Sequence, residues 1–292
     1  MALAFITYID RAAIGQVAPT LSKELHLSPV QMGQVFAAFG VAYSIFELPS
    51  GWLGDWIGPR KVLLRIVLWW SFFTAATGWA TNFIWLLATR FLFGAGEAGC
   101  FPNLAKCFRT WLPFAERLKA EGLKAAGARW GGAVTPVMFF HLEQWMGWRA
   151  VFQVFAAVGV LWAAVFYRSY RDNPRESKRV NAAELALVAK GGQHAIGNRN
   201  VPWRVFLSSR SAWLLWGQWF CYPYGFYFYL TWLPSYLQQA RHLDVHQSAM
   251  LAGLPLFSAG LGSIFSGWVC AWLMRRTSSV AGVRRSTAAP RP

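Results

Sequence analysis

Residues 90–102 read Arg-Phe-Leu-Phe-Gly-Ala-Gly-Glu-Ala-Gly-Cys-Phe-Pro. Arg90 and Glu97 are seven residues apart, about two helical turns, so both project to nearly the same side of a helix. Gly94, Ala95 and Gly96, with Ala98 and Gly99 beyond Glu97, make a face small enough for a second backbone to approach closely. The run lies in an apolar stretch from about residue 83 to 105. Each charge at the centre of such a helix in lipid costs roughly 2.5–3.5 kcal/mol unless paired or hydrated. The stretch therefore reads as a membrane-spanning helix with a polar face turned inward.

The rest of the chain agrees. Of its 292 residues, 55% are hydrophobic and 14% charged, where a soluble domain carries about 25% charged residues. Its 18 Trp and 23 Phe suit helices whose rings face acyl chains or the headgroup belt. A helix needs about 20 mostly apolar residues to cross the hydrocarbon, and eight stretches qualify, at about 2–20, 30–54, 62–80, 83–105, 119–141, 148–168, 210–238 and 247–273. The expected fold class is all-α, a polytopic membrane protein.

The formal charge of +16 is no nucleic-acid stripe. The bases gather in alternate gaps between apolar runs (Arg60/Lys61/Arg65, Lys106/Arg109/Arg117/Lys119, Arg168 to Arg179, Arg275/Arg276 with Arg284/Arg285), and the other gaps are poor in them. That is the alternation of the positive-inside rule. It places the N- and C-termini in the cytoplasm, with no nucleic acid as partner. Cys100, Cys107, Cys221 and Cys270 show no paired spacing, so neither a disulfide framework nor a metal site is indicated. Asp10-Arg11 interrupts the first apolar run and no small-residue cleavage site follows, against a signal peptide. The segment 169–209 is polar, holds the helix stop Asp172-Asn173-Pro174, and reads as a cytoplasmic linker with a short amphipathic stretch at 182–190. The division is thus 1–168, six helices whose first begins at Met1 inside the apolar run; 169–209, linker; 210–274, two helices; and 275–292, a basic cytoplasmic tail.

Charges inside spans are the candidate chemistry: Asp10 and Arg11 in the first, Arg90 and Glu97 in the fourth, Lys124 and Arg129 in the fifth. Arg11, Arg90 and Arg129 are candidates to hold a carboxylate through paired hydrogen bonds, and Asp10 and Glu97 to take up a coupling proton. The competing reading is an inert ion-pair network that fixes packing; for Lys124 alone, near a helix end, snorkelling is favoured. Tyr8, Tyr43 and Tyr224 are the aromatic residues expected to line the cavity, since a Tyr hydroxyl in lipid needs a partner. His242 and His246 have metal-pair spacing, but in a short outer loop without a carboxylate-rich shell an ordinary solvated loop is the stronger reading. No phosphate loop, nucleophile triad or catalytic carboxylate pair occurs, so neither an enzyme nor a cofactor is expected.

Three passages, in order and spacing, resemble the major facilitator superfamily and within it the anion:cation symporter family. Tyr8-Ile-Asp10-Arg11 is similar to that family's first-helix signature, Gly51-Trp-Leu-Gly-Asp55-Trp-Ile-Gly58-Pro-Arg60-Lys61 to its loop motif after the second helix, and residues 90–102 to its fourth-helix signature; the likeness extends to Trp232-Leu-Pro234. Trp56 stands where the loop motif usually has a base, and Ala271 where its second-half copy usually has Asp. The resemblance implies a major-facilitator-type bundle with about eight transmembrane helices of an expected twelve. It also implies a monomeric symporter in the bacterial inner membrane. The expected partners are a small organic anion, a sugar acid or other carboxylate, and protons, with sodium as the alternative coupling ion. By the same resemblance Arg11 and Arg90 organise the anion site, Asp10 and Glu97 couple protons, Tyr8 and Tyr43 line the pocket, and Gly51, Asp55, Gly58 and Arg60 form the gate. Arg129 would add a further positive group as a subgroup variant. The rival readings are a truncated fragment that does not transport and a membrane receptor or regulator that keeps the fold.

Overall fold

The computed structural model describes residues 1–177, 180–181, 183–185, 187 and 203–276. Most of the expected basic tail, and most of the amphipathic stretch at 182–190, lie outside the described residues. Every regular element among the described residues is helical: α1 Ala2–Glu24, α2 Pro29–Ile57, α3 Pro59–Gly78, α4 Phe83–Glu97, α5 Cys100–Trp111, α6 Phe114–Ser169, α7 Trp203–Ser208, α8 Arg210–Tyr227, α9 Leu233–Gln239 and α10 Val245–Arg276. A π-helical segment, Phe228–Trp232, joins α8 to α9.

Local chemistry starts and stops these helices. Ser28 caps α2 with a reciprocal bond to Gln31, and Pro29 occupies the first turn, where its missing N–H is harmless. Asn82 caps α4 by accepting from the Trp85 N–H. The helix α6 contains a reversal at Gly147, whose φ of 75° and ψ of 156° are not helical. Phe139 and Phe152, thirteen residues apart, have ring centroids 5.9 Å from each other, where a straight helix would separate them by about 20 Å. α6 is therefore a hairpin of two arms, matching the predicted fifth and sixth spans.

Two predicted spans differ. The stretch 83–105 breaks at Ala98–Gly99, with Gly99 left-handed at φ 83°, so α4 ends directly after Glu97 and α5 sets off anew. The predicted seventh span is likewise three pieces, α8, the π segment and α9; Pro223 and Pro234, each lacking an N–H, weaken the ordinary helical ladder there.

Glycine sets the helix approaches. A Cβ on Gly94 would lie 2.5 Å from the Phe39 carbonyl oxygen of α2. One on Gly131 would meet the Phe5 backbone of α1, and one on Gly253 the Ala133 backbone of α6. One on Gly15 would lie 2.8 Å from the Thr231 carbonyl oxygen in the π segment. The first arm of α6 thus packs between α1 and α10, and its second arm against α3. The interior holds Leu21, Val35, Leu86, Phe139 and Phe152 on one side and Val62, Leu63, Ile66, Trp70 and Phe93 on the other.

The outside is apolar as well: Trp52, Trp56, Trp145, Leu214, Phe220 and Trp268 are all exposed, as expected of a surface facing lipid. By length and apolar composition alone, two segments qualify to cross a bilayer, Glu116–Ser169 and Val245–Val269. α4 and α5, cut apart at Ala98–Gly99, are each too short for that test.

Candidate functional site

Asp10, Arg11, Arg90 and Glu97 are 1%, 6%, 2% and 0% exposed, four ionisable side chains at the meeting of α1 and α4. Arg11 makes the central contact. Its Nε donates to Glu97 Oε1 at 2.6 Å and its Nη2 lies 2.5 Å from the same oxygen, while Glu97 Oε2 has no partner. Aromatic rings enclose the guanidinium: Tyr43, Phe39, Tyr8 and Phe101 have centroids 4.7, 5.0, 5.1 and 5.7 Å from its Cζ. The pair is thus buried, and the π faces supply weak further stabilisation of the cation.

Asp10 and Arg11 leave α1 about 100° apart, and the structure sends them to different neighbours. Asp10 turns toward Trp70 and Thr74 of α3. Both its oxygens, the Trp70 indole N–H, the Thr74 and Ser71 hydroxyls and Arg90 Nε are buried without a full hydrogen bond. Arg90 stacks on Phe93 at 4.3 Å and Phe39 at 5.6 Å and forms no ion pair within 4 Å among the described residues; Asp10 and Glu97 balance it across a longer distance. A carboxylate and a guanidinium both buried and incompletely bonded are costly to keep.

Of the three tyrosines expected at the cavity, Tyr8 and Tyr43 stand against Arg11 as described. Tyr224 does not: it is 89% exposed and outside the cluster. Its neighbour two residues back, Tyr222, accepts a hydrogen bond from Arg129 Nη2 at 3.1 Å. Two residues along a helix is a turn of about 200°, so Tyr222 and Tyr224 point to opposite faces. Arg129 itself is half-buried and stands apart from the four-charge cluster, beside a cavity of about 570 Å³ lined also by Gln218, Trp219 and Cys221. Lys124 pairs with Glu121 one turn earlier.

The loop-motif residues form a second constellation at one end of the bundle. Lys106 of α5 lies 2.8 Å from Asp55 Oδ1 and also donates to the Gly51 carbonyl. Gly58, at φ 88°, ends α2 and begins α3; a Cβ there would lie 2.5 Å from Asp172 Oδ2. Asp172 Oδ1 accepts from the Arg60 N–H at 2.9 Å, so a residue 112 positions away supplies the cap that Gly58 cannot. Arg60 also donates to the Tyr167 carbonyl at 2.5 Å and lies over its ring.

Sequence reading missed Asp172, taken there as part of a helix stop, along with Lys106 and Asn103. Asn103 Nδ2 donates to the Ser50 and Gly99 carbonyls and holds the α4–α5 break against α2. Its signal was faint: a polar amide four residues after a glycine.

The profile of the Major Facilitator Superfamily matches residues 1–288. The chain belongs to that superfamily. It is 37% identical over 278 residues to a probable sulfoacetate transporter of Cupriavidus necator, the match covering 94% of this chain and 64% of that protein. It is 28% identical over 292 residues to a D-galactonate transporter of Escherichia coli, covering 96% of this chain and 67% of that one. A bacterial homologue of the human lysosomal transporter Spinster, crystallised inward-facing and unoccupied, shares the fold with a TM-score of 0.68 at 23% identity, over 94% of this chain and 60% of its own. The fold is that of a major-facilitator membrane helix bundle, the chain is an integral membrane protein, and its relatives are transporters of sugar acids and other anions, not enzymes.

Proposed function

We propose that this chain serves proton-coupled symport of a small organic anion, a sugar acid or other carboxylate, across the bacterial inner membrane. Residues 1–168 act as one half of a rocking pair, 169–209 as the cytoplasmic linker, 210–274 as helices of the second half and 275–292 as a cytoplasmic tail, with both termini on the cytoplasmic side. The observation that carries this reading is the buried set of two carboxylates and two guanidiniums where α1 meets α4.

At membrane depth the set is near electroneutral only while both acids are ionised. Protonation of Glu97 releases Arg11 from its counter-charge, and the freed guanidinium then presents its planar fork of donors to a guest carboxylate. Asp10 bears the same relation to Arg90. A guest anion and a proton therefore enter together, because each without the other leaves an unbalanced charge in low dielectric. Tyr8 and Tyr43 wall the site, and Gly51, Asp55, Gly58 and Arg60 gate it. The names of the similar proteins, transporters of sulfoacetate and D-galactonate, support an organic acid as cargo.

The test is uptake of labelled D-galactonate and sulfoacetate into proteoliposomes under an imposed proton gradient. Glu97→Gln is expected to abolish the response to the gradient, and Arg90→Ala to reduce uptake by about two orders of magnitude. Uptake unchanged in both variants would remove the proposed roles.

A further inference from the structure

Arg129 differs from the other cations inside the spans; Arg90 too lacks an ion pair within 4 Å, but it is fully buried near the Asp10 and Glu97 carboxylates. Arg11 is held by Glu97, Lys124 by Glu121 and Lys106 by Asp55. Both observed partners of Arg129 are neutral, the Ala125 carbonyl and the Tyr222 hydroxyl, each at 3.1 Å, and it makes no ion pair among the described residues. A guanidinium carries five N–H donors, and two of these bonds leave donors over. The adjoining space of about 570 Å³ is large enough for a small organic acid, and its lining adds the Gln218 amide and the flat face of Trp219. Tyr8 links this place to the buried cluster: its ring packs 5.1 Å from the Arg11 guanidinium and edge-on against Phe226 at 5.9 Å, and Phe226 stacks on Tyr222 at 6.0 Å.

We propose that Arg129, with Gln218 and Tyr222, is a second anion-holding position, apart from the Arg11/Arg90 cluster, that favours guests bearing a second acid group. This rests on the anion-transport reading above and deepens it. The cluster, balanced two against two, can accept one negative head when one of its carboxylates takes up a proton. A second negative head needs a positive group with no counter-charge of its own, and Arg129 supplies it. A monoacid makes no such demand, so Arg129 sets the charge class of the cargo more than the affinity for any one carboxylate.

The test uses the whole chain in detergent micelles, with sulfoacetate (a sulfonate and a carboxylate) and D-galactonate (one carboxylate) as probes in isothermal titration calorimetry. Arg129→Gln is expected to weaken sulfoacetate on the order of tenfold more than it weakens D-galactonate, and Arg129→Lys to restore part of the difference. A second readout uses Cys221, which lines the cavity and is exposed, whereas Cys100 and Cys107 are buried. In a Cys270→Ser background, sulfoacetate is expected to slow maleimide labelling of Cys221 when Arg129 is present and not after Arg129→Gln. Equal loss of both acids in Arg129→Gln, or labelling of Cys221 indifferent to sulfoacetate, overturns this inference while leaving the transport reading in place. If neither acid binds the unaltered chain, both readings fall.

Discussion

Arg11 and Glu97 show how strongly a single pair can be constrained by where it lies. Removing one member of a buried ion pair leaves its partner charged and unsolvated, at a cost of roughly 3–5 kcal/mol, whereas removing both can be close to neutral. Arg11→Met and Glu97→Gln are therefore each expected to lower thermal stability in micelles markedly, and the double variant to recover most of it. Strictly additive losses, read by scanning fluorimetry, would mean the pair is not coupled. Much of this site was legible in the sequence, because a charge in an apolar run has few innocent explanations: Asp10, Arg11, Arg90 and Glu97 could be singled out on cost alone. Which charge meets which was not legible. The pairing depends on how α1 and α4 cross, and on the 100° step that sends Asp10 to α3 and Arg11 to Glu97. Tyr224 lies outside the buried cluster: within an aromatic run, the composition of a helix does not say which side faces inward.

Between helices, glycine decides what can touch. Without a hydrophobic drive between helices in lipid, close backbone approach is what makes packing favourable. Gly131→Ala would push a methyl group into the Phe5 backbone and is expected to cost about 1–3 kcal/mol. Gly217→Ala, with nothing within 4 Å of its Cβ, is expected to be neutral or to stabilise α8 by up to about 1 kcal/mol. Comparable melting shifts for the two would contradict the packing described. Gly58→Ala combines a left-handed φ with a Cβ 2.5 Å from Asp172 Oδ2; a loss of about 1 kcal/mol or more is expected, and Asp172→Ala in the same background should not restore stability, because it relieves the contact but removes the cap on the Arg60 N–H. The spans themselves were readable from apolar length, and the small-residue faces from spacing. The break at Ala98–Gly99 was not, since apolar composition runs unbroken through it and the cause lies in α2, where the Glu47 carboxylate accepts from the Gly99 N–H at 3.3 Å and Ser50 fills the space beside it.

At the scale of the whole molecule the arrangement inverts that of a soluble protein: large apolar side chains cover the exterior, and Asp10, Arg11, Arg90 and Glu97 lie inside. Such an arrangement is stable only with lipid outside. Alternating charge in the loops was enough for an expected orientation, and the order of three short passages was enough for the superfamily. Neither could reveal that Asp172, in the segment after the sixth span, returns to cap α3, because that contact joins residues far apart along the chain.

Anion and proton are proposed to enter one buried charge set together. Isothermal titration of sulfoacetate or D-galactonate in two buffers of different ionisation enthalpy measures it directly, by counting protons taken up per anion bound. Net proton uptake approaching one per anion is expected for the unaltered chain, cut to well under half of that in Glu97→Gln. Binding with no proton uptake, or uptake that survives both Glu97→Gln and Asp10→Asn, would contradict it.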